Sequence, residues 1–119
     1  MTMVSGALLG IIEEACEDIL ILVENVEPEE FFASKLTQKE AIRQIRIITE
    51  SAANLPDDIK LKMKEIDWAG WQVLWAQVKT TGGFERDAIW FAIRSMVPAT
   101  IMWLRVFRQS QPEIFAIKP

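Results

Sequence analysis

Residues 67–90, DWAGWQVLWAQVKTTGGFERDAIW, hold the side chains best suited to a site. Lys79, Thr80, Thr81 and Arg86 flank a Gly82-Gly83 turn between two predicted helices. Lys79 is the only phosphate-binding charge on the first of these helices and would act as a point charge. As a general base it would need a strongly depressed pKa. The chain has no His and no Tyr. It therefore lacks the one side chain whose ordinary pKa allows proton transfer near neutrality. Its single cysteine, Cys16, lies far away in an apolar stripe with no His to activate it, so it reads as packing. Without His, and without carboxylates on the helix that precedes the turn, a metal site is disfavoured. Gly82-Gly83 follows no strand, so it is not a phosphate-cradling loop. No catalytic residue, metal or cofactor is assigned.

The same stretch is rich in tryptophan. Trp68, Trp71 and Trp75 recur at i, i+3 and i+7, with Leu74 and Val78 beside them. Ordinary core is one reading and a subunit interface the other, because Trp is enriched at interface centres. Trp71, Trp75 and Trp90 are the candidate interface residues. A base-stacking surface is a lesser reading. For nucleic-acid binding without cleavage, Arg94, Arg105 and Arg108 on the fifth helix are the only other support, Arg105 and Arg108 being helical neighbours that could form a small basic patch.

Five predicted helices must position these groups. Residues 3–26 carry a wide apolar stripe with acids opposite, and Pro28 is expected to end that helix. A connector with Phe31 and Phe32 tucked under the bundle follows. Thr37 and Glu40 match a capping box, and the second helix runs to about Asn54 with Ala41, Ile45, Ile48, Ala52 and Leu55 inward. A short third helix covers residues 57–66. Asp67 caps the fourth, residues 68–80. The fifth, residues 84–109, is apolar over most of its circumference and should be kinked at Pro98. Phe115 and Ile117 dock the tail. No run keeps a strand period. The expectation is one all-α domain over residues 1–119, an up-and-down four-helix-type bundle with a short additional helix. Surplus apolar surface on the last two helices suggests a homodimer.

Charge is uneven. Residues 1–34 hold eight acids and no base, while the rest holds nine acids and all 13 bases. Such an acidic first helix repels phosphate, and reads as a solvated face or one that meets a basic partner. The longest uninterrupted apolar run is too short for a membrane span. No Lys or Arg precedes the apolar patch at residues 4–12, which argues against a secretory signal. A lone cysteine suits a reducing cytoplasm.

Residues 40–52, EAIRQIRIITESA, with Leu55-Pro56 after them, resemble the second-helix signature of the HEPN superfamily in its HepT-like branch. Ile66-Asp67-Trp68 is similar to that branch's "IPW". Gly83 and Trp90, with Pro98 eight residues on, match its following segment. The resemblance spans roughly residues 5–108 and implies a helical bundle that dimerises. In active members the fourth helix carries an Arg-Asn-x-x-x-His-x-Tyr motif. Two copies face each other across the dimer and cut RNA. In toxin–antitoxin pairs a small nucleotidyltransferase is the partner. This chain departs from the motif. Aligned from Trp68, Arg-Asn falls on Trp75-Ala76, His on Thr80 and Tyr on Gly82. Aligned back from Trp90 and Pro98, they fall on Leu74-Trp75, Lys79 and Thr81. The resemblance thus implies a catalytically inactive binding subunit with a degenerate site. The alternative is an RNA-binding or residual ribonuclease protein whose cleft uses Glu50, Lys79, Thr80 and Arg86.

Overall fold

The computed structural model describes residues 2–79 and 85–116. Among them every regular element is helical. Helix α1 (Thr2–Leu22) lies along α3 (Lys35–Ala53), joined through the short α2 (Pro28–Ala33). After α4 (Asp57–Lys62), helix α5 (Trp68–Lys79) packs on α3 and on α6 (Glu85–Phe91). A π-helical turn (Ala92–Met96) leads into α7 (Val97–Ser110), which returns to α1, and α8 (Pro112–Phe115) closes on α1 and α7. The result is a helical bundle.

The first long helix ends earlier than its composition suggests. It stops at Leu22, and Asn25 adopts a left-handed φ of 59°, a conformation Asn tolerates better than most residues. Pro28 does not terminate α1 but opens α2, where its missing N–H costs nothing. Within α2 the Glu27 backbone N–H donates to Glu30 Oε1 at 3.1 Å. The capping box expected at Thr37 and Glu40 does not form. Ser34 begins α3 instead, its Oγ accepting the Thr37 N–H at 3.2 Å. That frees Glu40 to accept from Arg43 and Gln44. The short third helix stops at Lys62 rather than Ile66.

The inward stripe of α3 is as the spacing predicts, since Ala41, Ile45, Ile48, Ala52 and Leu55 are all buried. Cys16 is fully buried as well. Asp67 caps α5, its Oδ1 accepting the Gly70 N–H at 2.9 Å. The break before Pro98 takes the form of the π turn. The Val97 N–H reaches back five residues to the Ala92 carbonyl. Pro98 has no N–H to offer and its ring crowds the carbonyl four residues back. The apolar surplus of this long helical run goes largely inward, through Ala88, Ile89, Ala92, Ile93, Val97, Ile101 and Leu104. By length and composition alone the run Glu85–Ser110 could cross a membrane. At the tail, Ile114 and Phe115 are buried, whereas Ile117 lies outside the described residues.

Candidate functional site

The α3–α5 seam is where the expected cleft residues begin. Gln72 on α5 donates through Nε2 to the Thr49 carbonyl at 3.2 Å, so the two helices are tied beside Glu50. Glu50 points outward and pairs with Arg46 one turn before it, at 2.9 Å. Lys79 is exposed at the end of α5. Arg86 is exposed at the start of α6, with its guanidinium 4.3 Å from the centroid of the Phe32 ring. Thr80, Thr81 and the Gly82-Gly83 turn lie outside the described residues. Among the described residues, no ion pair or hydrogen bond joins Glu50, Lys79 and Arg86. The described part of the cleft therefore holds a committed carboxylate and two separate cations.

The tryptophans divide. Trp71 is fully buried, and its indole N–H donates to Thr100 Oγ1 at 3.1 Å. That corrects its assignment to a subunit interface, because none of its ring reaches the surface. Trp68 is also largely buried, donating to the Met63 carbonyl at 3.1 Å. Trp75 and Trp90 are half-buried. Trp90 belongs to an aromatic cluster with Phe31 and Phe32, at ring centroid distances of 5.6 and 6.0 Å. The outward side of α5 is formed by Ala69, Gln72, Val73, Ala76 and Gln77. Beside it, a groove of about 390 Å³ opens between α5 and the α6–π turn junction, lined by Val73, Gln77, Phe91 and Met96. A larger groove, about 730 Å³, runs between α4 and the start of α5, with Lys60, Lys64 and Trp68 on its walls.

The expected basic patch at Arg105 and Arg108 is not a free one. Arg108 Nη2 lies 2.6 Å from Glu13, and Arg105 Nη2 lies 3.2 Å from Glu17. These pairs also neutralise part of the acidic face of α1. Arg108 further covers the Phe115 ring at 4.6 Å. Their partners are 88 and 95 residues away in sequence, so helix spacing alone gave no sign of them.

Three titrations are displaced, that of Arg43 upward by its hydrogen bond to Glu40. Burial pushes the Cys16 thiol up to about 12, helped by the nearby Glu13 and Glu17 carboxylates. A thiol held neutral in this way is a poor nucleophile. Hydrogen bonds from Arg43 and then Gln44 hold the exposed Glu40 carboxyl down at about 2. Among the described residues, no group of three His, Cys, Asp or Glu side chains is placed to hold a metal.

No protein-family model matches the chain. No solved structure matches it either. It is 31% identical over 96 residues to "Putative RNase MJ0127" of Methanocaldococcus jannaschii, an alignment that covers 80% of this chain and 79% of that protein. With that identity over most of both proteins, the chain belongs to the family of the archaeal protein, and its all-helical fold fits a HEPN-like ribonuclease family.

Proposed function

We propose that the protein is a HepT-like HEPN subunit that works by binding, as a homodimer, and does not cut RNA. One observation carries this reading: the chain contains no His and no Tyr. The ribonuclease motif implied by the resemblance uses a His as its proton shuttle, and no other side chain titrates near neutrality without a large perturbation. Glu50 is engaged by Arg46 and Lys79 is exposed. Neither stands in for an imidazole.

The dimer is supported by the outward side of α5. Ala69, Val73 and Ala76 are exposed there, and Phe91 is exposed beside them. Exposed apolar side chains gathered around one groove mark an interaction surface more often than scattered ones do. By the same resemblance, the further partner is a small nucleotidyltransferase of a toxin–antitoxin pair. A second reading, RNA held without cleavage, is favoured by the relative's name and by the exposed position of Lys79 at the end of α5.

The test combines two measurements on the purified full chain. Light scattering should give twice the monomer mass. A labelled RNA incubated with the protein should stay intact at the rate of a buffer control. Cleavage that tracks the protein through purification would overturn the silent-subunit reading. A tagged pull-down from the native host then decides between a nucleotidyltransferase partner and RNA.

A further inference from the structure

Six arginines occur in the chain. Four of them, Arg43, Arg46, Arg105 and Arg108, reach a carboxylate within the molecule. Among the described residues the other two make no ion pair, although Glu85 and Asp87 flank Arg86 in sequence. Both lie over aromatic rings instead. Arg86 covers Phe32 at 4.3 Å and Arg94 covers Trp90 at 4.9 Å. Phe32 and Trp90 belong to one cluster anchored by the fully buried Phe31. Arg86, Trp90 and Arg94 follow at steps of four, so they form one stripe along α6 and the π turn.

We propose that this stripe is the docking face for a partner-protein segment that presents two carboxylates, one to each guanidinium. The proposal rests on the reading of the protein as a binding subunit. Each guanidinium already has its inner face on a ring, which limits its rotation and leaves its N–H edges for a bidentate acceptor. Tryptophan and arginine together are also what interface centres favour. The two guanidiniums are eight residues apart, about 12 Å along a helix. Two acidic side chains two turns apart on a partner helix lying beside α6 would match that spacing.

Charge decides between a carboxylate partner and a polyanion. Phe32 sits on α2, and residues 1–34 carry eight acids and no base. Asp87 is exposed next to Arg86. The acidic N-terminal segment repels any anion at long range, and an extended phosphate backbone, charged at every nucleotide, more than a segment with two carboxylates. It does not prevent two short-range bidentate pairs with individually placed carboxylates.

The test uses the full chain and a fluorescent helical peptide bearing two Glu residues two turns apart with Leu between them. A twin peptide carries Gln at both positions. Anisotropy titrations should show the Glu peptide binding more tightly by about tenfold or more, the effect of one or two charge-assisted pairs. Arg86→Gln with Arg94→Gln should abolish that difference. Arg105→Gln with Arg108→Gln should keep it, which separates loss of this face from general loss of positive charge. Arg86→Lys with Arg94→Lys should retain only part of it, since Lys cannot form the planar fork. Equal affinity for the two peptides, or a difference that survives Arg86→Gln with Arg94→Gln, would overturn the proposal. So would a single-stranded oligouridine that binds through the same two arginines and displaces the peptide. Failure to find a dimer or a host partner would instead overturn the parent reading, and leaves these titrations unaffected.

Discussion

The Trp71 indole N–H donates to the Thr100 hydroxyl at 3.1 Å, and both residues are buried. This bond joins α5 to α7 across 29 residues of sequence. It makes Trp71 a stability residue. Trp71→Ala should cost roughly 3–5 kcal/mol, the usual range for deleting a large buried aromatic side chain. Trp71→Phe keeps much of the volume but leaves the Thr100 hydroxyl unpartnered, for about 1–3 kcal/mol. Urea unfolding of both variants checks the order. A Trp71→Ala protein with unaltered stability and an altered dimer constant would return this residue to the interface.

Two glycines of α1 should respond with opposite signs. A Cβ on Gly6 would meet the Ala116 carbonyl oxygen and come within 2.8 Å of the Phe115 carbonyl oxygen, both backbone atoms. Gly6→Ala should therefore push the tail off α1 and lower the melting temperature. A Cβ on Gly10 meets nothing within 4 Å. Gly10→Ala should be neutral or stabilising by up to ~1 kcal/mol, because alanine is the better helix former. Thermal melts of the two single variants, run side by side, test this contrast.

Stability should fall at alkaline pH through Cys16. Its folded pKa is raised from 9.0 to about 12, first by burial and then by Glu13 and Glu17. The neutral thiol is thus favoured in the folded state. Its contribution is complete below pH 9 and is lost as pH rises towards 12. The slope approaches about 1.4 kcal/mol per pH unit within that window. Cys16→Ala should flatten the dependence between those limits. Below pH 9, a thiol-specific reagent should label the folded protein far more slowly than the protein in denaturant.

The pairing of Glu13 with Arg108 at 2.6 Å crosses from α1 to α7. The Glu13 side chain is only 16% exposed, whereas that of Arg108 is 45% exposed. Arg108→Gln should cost about 1 kcal/mol or less, the range of a partly solvated pair. High salt should shrink the difference between wild type and variant. An unchanged difference in high salt would point to lost packing over Phe115 instead.

Val73 is 61% exposed on the outward side of α5, and Phe91 is 57% exposed across the groove. Val73→Glu should shift the expected dimer towards monomer, seen as halved mass in light scattering at micromolar concentration. The same substitution should change the melting temperature of the isolated chain little, because the side chain is already in water. A dimer that survives both Val73→Glu and Phe91→Ser would place the meeting surface elsewhere.

Sequence alone determined the spans of the longer helices to within a few residues, though not the short α2 and α8, together with the inward stripe of α3, the cap at Asp67 and the burial of Cys16. These follow from local causes: the 3.6-residue period, capping chemistry, and an apolar side chain on an apolar stripe. Only the tertiary structure decided which tryptophans are core. Trp71 and Trp75 lie four residues apart on the same helix, and whether a position is sealed depends on what packs against it. For Trp71 the covering elements include α7, with Thr100 at the indole. The same holds for the arginines. Arg105 and Arg108 read as a free basic pair until α1 brings Glu13 and Glu17 alongside, while Arg86 and Arg94 find rings instead of carboxylates. Proline showed where the fifth helix would break. The form of the break, a π turn with the Val97 N–H on the Ala92 carbonyl, accompanies burial of Ile93 and Val97 before Pro98 and of Ile101 after it. Periodicity fixes which residues share a face; it carries no record of the element that comes to cover that face.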